Sequence, residues 1–264
     1  MPRKLVVLAL LLLSLALCVS YLSLRREAPA LNPKLRTVIE VRDEYYQGLA
    51  YYNGYWYFSD REYLAKTREL GAGKPDLENK LPIPYDLVLE GYNHIGDIDV
   101  EGGKVYAPLE DVDYAKPVIA VYDAETLKFL AVIGPLPQKH LPWCAVDLGK
   151  GLIYASEFSD VDRVFVYDLK GRKVGEIALN ATLQRVQGGD IEGGYLYLTT
   201  DDGGDWVYRV DLRTGSVIRI VRVDTPHEME GVEVHDGRLY ALVGTRRGLR
   251  NLLFVYELYS TASP

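Results

Sequence analysis

A repeat constrains this chain more than anything else in it. Five segments, residues 48–57, 97–106, 145–154, 188–197 and 231–240, share one pattern. Each has a short apolar run, a tight polar turn and a second run with a tyrosine at a fixed place. The tyrosines, Tyr57, Tyr106, Tyr154, Tyr197 and Tyr240, are 49, 48, 43 and 43 residues apart. The turns Asn53-Gly54, Gly102-Gly103, Gly193-Gly194 and Asp236-Gly237 hold residues that tolerate positive φ, as two-residue hairpins require.

A second pattern follows in four of the units. Residues 120–123, 165–168, 208–211 and 254–257 are each a short strand-like run closed by an acidic residue. Turn residues and another apolar run come after the first three. Each unit is therefore a four-stranded meander of the size of a β-propeller blade. The fifth unit runs out near Leu258, and an unassigned strand, 35–41, lies at the other end of the chain. The predicted fold is all-β, a five-bladed β-propeller over residues 31–264. An N-terminal strand would complete the last blade and remove the exposed edges. The repeated tyrosines should pack between blades, and Asp123, Asp168 and Asp211 should cap turns. The first unit is irregular. Residues 62–89 lack the clear third strand and carry glycine and proline, which predicts a long surface excursion.

Residues 1–30 form a separate piece. Positions 5–24 carry no charge, with Arg3 and Lys4 before them and Arg25 and Arg26 after. Twenty apolar residues in a helix can span a bilayer, and the basic flank favours a cytoplasmic N-terminus. This segment reads as a membrane anchor or a cleaved signal peptide. Either one exports the rest, so the expected location is the cell membrane with the propeller outside the cytoplasm, or secretion. The exported part has a net charge of −10 and one cysteine, Cys144. No internal disulfide is possible there, and an acidic balance argues against a nucleic-acid partner. Cys144, between Trp143 and Ala145, reads as a buried thiol.

Propeller sites sit at one mouth of the central channel, where two sets of loops meet. The loops entering the innermost strands hold Gln47, His94, His140, Trp143, Gln187, His227 and Glu230, with Asp97 close by. Gln47, Asp97, Trp143 and Gln187 are the candidate ligand-binding residues. His94, His140 and His227 are three of the four histidines, and neutral imidazoles at one mouth could hold a divalent metal ion. Glu230 and Glu233 are the candidate catalytic carboxylates, since a carboxylate in a narrow channel can act as general acid or base. The second loop set is acidic: Glu110, Asp111 and Asp113, then Glu157, Asp160 and Asp162, then Asp201, Asp202 and Asp205. None of these segments has the spacing of a twelve-residue calcium loop, and they read as a solvated rim. No P-loop, dinucleotide fingerprint or Gly-x-Ser-x-Gly elbow is present.

With these repeats, the chain resembles the quinoprotein-like and gluconolactonase-like propellers. Gln47-Gly48-Leu49 together with residues 53–57 is similar to the first blade of glutamine cyclotransferases of the plant and bacterial type. Residues 233–243 are similar to a later blade of that family. The middle of the chain lacks that family's remaining motifs. Through residues 94–99, 143–147, 186–189 and 230–233 it resembles uncharacterised exported propellers instead. The gluconolactonase-like resemblance implies that Glu230, which precedes Gly231, helps hold a divalent cation. The cyclotransferase resemblance implies proton transfer by Glu230 or Glu233 during attack on a glutamine amide. Two functions follow as expectations. One is a propeller that binds a small molecule, peptide or envelope partner at its channel mouth. The other is an enzyme, a glutamine-cyclotransferase-like acyl transferase or a metal-dependent lactonase-like hydrolase.

Overall fold

The structure is a computed structural model that describes residues 31–245 and 249–259. The predicted N-terminal anchor or signal segment lies outside these residues. Among the described residues no helix is long and apolar enough to cross a membrane.

The chain opens with β1 (Lys34–Val41). The first complete sheet is β2 (Gly48–Tyr52), β3 (Tyr55–Asp60), β4 (Tyr63–Thr67) and β5 (Leu77–Asn79), paired in that order. A five-residue helix, α1 (Tyr85–Leu89), leads to the second sheet. Its innermost strand comes in two pieces, β6 (Tyr92–Ile95) and β7 (Asp99–Glu101), and both pair with β8 (Lys104–Asp111). Outside β8 lie β9 (Val118–Asp123) and β10 (Phe129–Ile133). The third sheet is β11 (Ala145–Asp147), β12 (Leu152–Ala155), β13 (Val161–Asp168) and β14 (Lys173–Leu183). The fourth is β15 (Val186–Glu192), β16 (Tyr195–Thr200), β17 (Trp206–Asp211) and β18 (Val217–Arg222). The fifth is β19 (Glu228–His235), β20 (Arg238–Gly244), β21 (Asn251–Glu257) and then β1. There β1 runs antiparallel to β21, with Lys34 opposite Glu257 and Val41 opposite Asn251. The inner strands touch in a closed cycle, β2, β7, β11, β15, β19 and back to β2. The molecule is a five-bladed all-β propeller.

Local chemistry explains each sheet. At all four predicted two-residue turns both residues have positive φ, from 50° at Asn53 to 83° at Gly54 and Gly194. That is the type I′ geometry, whose twist matches the flanking strands. The repeated tyrosines are all buried, and each sits in a cluster shared with the following blade. The Tyr57 hydroxyl, for instance, donates to the Ala124 carbonyl of the second sheet. Asp123, Asp168 and Asp211 each accept backbone N–H bonds from the turn that follows. Residues 62–89 differ from the predicted excursion, because they contain β4, β5 and α1. All five residues of β4 are buried. Lys66 hid this strand from the sequence pattern. Its stem is buried, its ammonium pairs with Glu125 at 2.8 Å, and it lies over the Tyr55 ring. A long cationic side chain can thus occupy a core position when its tip is partnered.

Candidate functional site

The innermost strands form a ring of edges whose N–H groups have no ladder partner on the channel side. Buried N–H groups need acceptors. Carboxylates supply them. Asp97 accepts from Leu49 N at 3.0 Å, Gly189 N at 3.0 Å and Val232 N at 3.4 Å. Its own N–H donates to the Pro142 carbonyl at 2.8 Å. One residue, 1% exposed, therefore ties together all five blades. Gly48, Gly188 and Gly231 make room for it. A Cβ on any of them would stand 2.6 to 2.7 Å from an Asp97 oxygen. Burial pushes the Asp97 carboxyl well above the usual range, and the three N–H bonds oppose that push.

Further along the channel the same device joins neighbouring blades. Asp99 accepts from Val146 N, and Asp190 accepts from Val234 N. The Tyr51 N–H donates to Glu233. Burial raises Asp99 to about 7 and Asp190 to about 8, and it carries Glu233 well upward, with help from Asp190 and Asp99. Asp97 and Glu233, read from the sequence as ligand-binding and catalytic, thus stand inside the channel as acceptors for backbone N–H groups. Trp143 is fully buried. Its indole N–H donates to the Ser156 hydroxyl at 3.0 Å, and its ring lies against Gly189. Cys144 is a buried thiol, and burial pushes it up.

The mouth holds two adjoining cavities. The larger, about 810 Å³, collects Gln47, His94, Gln187 and Glu230 from the predicted set, together with Tyr46, Asp60 and Arg61. The entry loops and the loops between second and third strands therefore share this face. The smaller, about 480 Å³, is lined by Asp201, Asp205 and His227, among others. Tyr46, Glu228 and Thr245 belong to both walls. The Tyr46 hydroxyl donates to Glu228 at 2.9 Å, and its ring packs on Gly244.

Glu230 is 3% exposed and its carboxyl makes no hydrogen bond to another described residue, although its backbone carbonyl accepts from Thr199. Burial pushes this carboxyl well upward, and Glu228, Asp201 and Asp97 push it further. His94 contacts Gln47 through Nε2. Its Nδ1 lies 3.3 Å from Glu110, and His140 Nδ1 lies 2.6 Å from the other oxygen of the same carboxylate. Neither contact is well aligned as a hydrogen bond, whereas Leu141 N donates to Glu110 squarely at 2.5 Å. Burial acts to raise Glu110, but the nearby imidazoles of His140 and His94, together with the Leu141 N–H, outweigh it and hold the carboxyl below the usual range. The acidic loops are not a uniformly solvated rim, because Glu110, Asp111 and Asp205 are buried. Glu110 had no sequence signal of its own, standing as one acid in an acidic run.

The three histidines do not converge. His94 and His140 share Glu110, and His140 stacks on Tyr114 and Phe158, while His227 lines the other cavity. Among the described residues no group of three or more His, Cys, Asp or Glu is arranged to hold a metal ion.

No protein-family model matches the sequence, and no curated protein sequence matches it. Among solved structures, a luciferin-regenerating enzyme is similar with a TM-score of 0.53 at 13% identity, over 82% of this chain and 77% of that one. BamB from Moraxella catarrhalis gives 0.39 at 18% identity, over 80% of this chain and 59% of BamB. The WD40 β-propeller domain of Doa1 gives 0.45 at 10% identity, over 79% and 77%. At such identities the likeness is one of fold, and the chain is an all-β propeller of five repeated blades.

Proposed function

We propose that this chain is an extracytoplasmic propeller that binds a small molecule or peptide at the mouth of its channel. One observation carries the reading: Glu230 is buried, without a hydrogen bond to its carboxyl among the described residues, on the wall of a cavity of about 810 Å³. A carboxyl in that position costs stability unless something fills its hydrogen-bonding capacity. Gln47 and Gln187 add amide groups to the same wall. Export is supported by the uncharged run at 5–24 and its basic flanks. A calorimetric screen of the full-length protein against small polar molecules and short peptides tests the binding reading. The expected ligand loses at least tenfold in affinity in Glu230→Gln. A ligand that binds equally well to this variant and protects amides away from the mouth overturns it. Protease accessibility in intact cells and inverted vesicles tests the location.

A second reading is an acyl transferase or hydrolase at the same place. It is favoured by His94, whose imidazole is held between Gln47 and Glu110 on the wall that Glu230 shares. A base and a raised carboxylic acid around one cavity can move a proton to and from a reacting amide or lactone. Ammonia release from a peptide with N-terminal glutamine, and hydrolysis of small lactones, are the two assays. No turnover in either removes this reading and leaves the first.

A further inference from the structure

We infer that the ligand is an oligoamine, a molecule carrying at least two protonated amino groups that span the two cavities of the mouth. The inference rests on the binding role given above and names the chemistry of its ligand. Each cavity contains one buried acid with unmet hydrogen-bonding capacity. In the larger it is Glu230, 3% exposed, without a hydrogen bond to its carboxyl among the described residues. In the smaller it is Asp205, 8% exposed, whose buried Oδ1 has no hydrogen-bond partner among the described residues. The two cavities adjoin and share Tyr46, Glu228 and Thr245 as wall residues. A ligand long enough to pass this shared wall at the mouth would meet both acids.

The charge around these acids sets the sign of the ligand. Asp201, Asp205 and Glu228 line the smaller cavity, with neither Lys nor Arg among its described lining residues, although Arg185 pairs with Asp201 from outside the wall. Asp43, Asp60, Glu62, Glu228 and Glu230 line the larger, and Arg61 is its one Lys or Arg among the described residues. Among the described lining residues acids outnumber bases in both cavities, which favours a cationic ligand over an anionic one. A divalent ion would need several oxygens gathered around one point, and no such group is arranged among the described residues. An ammonium group needs less. It is a compact charge with three rotatable donors, and it binds one or two carboxylate oxygens at a time. Tyr46, on the wall between the cavities, is fixed by its bond to Glu228 and its packing on Gly244. Its ring offers a face along which the methylene stem joining two amines can lie, with some cation–π attraction for the charged ends.

The test is calorimetry and thermal shift on the full-length protein with a series of linear alkyl amines. The series holds butylamine, the α,ω-diamines of three to six carbons, and spermidine, with magnesium and calcium chloride as separate arms. A peptide with N-terminal lysine and its Nα-acetylated form distinguish a peptide source of two ammonium groups from a free oligoamine. Supporting results are a diamine or triamine of preferred length binding at least tenfold tighter than butylamine, and a fall to the butylamine level in Glu230→Gln and in Asp205→Asn. If a variant fails to fold, the chain-length dependence of the native protein decides alone. Equal binding of monoamine and diamines, or a divalent ion binding more tightly than every amine, overturns the inference. If amines fail while another small molecule or peptide binds and is lost in Glu230→Gln, the oligoamine falls and the binding role stands. If nothing binds at the mouth, both fall.

Discussion

Single residues carry unusual structural weight in this molecule, and Asp97 carries the most. Its backbone N–H and its two carboxylate oxygens reach four other blades. The residue replaces a whole set of strand-to-strand bonds that a ring of edges cannot make. Asp97→Ala would leave three buried N–H groups without an acceptor. Each such group costs about 1–3 kcal/mol, so the expected loss of stability is at least about 3 kcal/mol. Urea unfolding of the variant measures it, and a loss below about 1 kcal/mol would contradict the role given to this residue. The sequence marked Asp97 as important because of its place before an inner strand. It pointed to a ligand, whereas the structure shows backbone donors at the carboxylate. Position in a repeat identifies which residue faces the channel, but only the folded ring determines what stands opposite it.

At the scale of elements, the strands with regular alternation were the ones legible in the sequence. The tyrosine-bearing second strands and their type I′ turns are local features, set by a few adjacent residues. The failures were local as well. β4 carries Lys66 in a buried place, and β6 precedes β7, read from the sequence, in one inner strand interrupted where Asp97 turns towards the other blades. Neither has the clean alternation that marks a half-buried strand. The contact of β15 with the entry to β11 depends on Gly189. A Cβ there would stand 2.6 Å from Trp143 Cδ2, in a site where the indole is already bonded to Ser156. Gly189→Ala should therefore destabilise the fold by about 1–3 kcal/mol, the usual range for overpacking. It should also shift the emission of the buried indole. An unchanged melting temperature together with unchanged tryptophan fluorescence would show that β15 has slack at this position.

The whole molecule is asymmetric in charge and in protonation. Acidic side chains outnumber basic ones among the described residues lining the mouth, where Arg61 and the Arg185–Asp201 pair also stand, while the turns of the opposite face carry pairs such as Lys150–Asp147 and Arg172–Asp168. Within the channel, Asp99 and Asp190 hold their protons to about 7 and about 8, against 3.8 for an ordinary aspartate. Between those limits the folded state keeps protons that the unfolded chain releases. Raising the pH through that window therefore favours unfolding. The melting temperature should be higher at pH 5.5 than at pH 8.5, with a smaller difference in Asp190→Asn. A melting temperature that rises over this range would show that the channel acids ionise without cost in the folded protein.

The sequence alone determined the number of blades, the hairpin turns, the tyrosines between sheets and the presence of carboxylates near the channel. Those features follow from spacing and from the conformational needs of adjacent residues, which a linear chain displays directly. Only the tertiary structure decided which acids are buried, which are satisfied and which are left open. Glu110 between His94 and His140, Asp97 at the junction of five blades, and Glu230 and Asp205 beside their cavities look alike as letters. They differ because the dielectric and the partners around a carboxylate come from loops tens of residues apart. Those loops meet only when the ring closes.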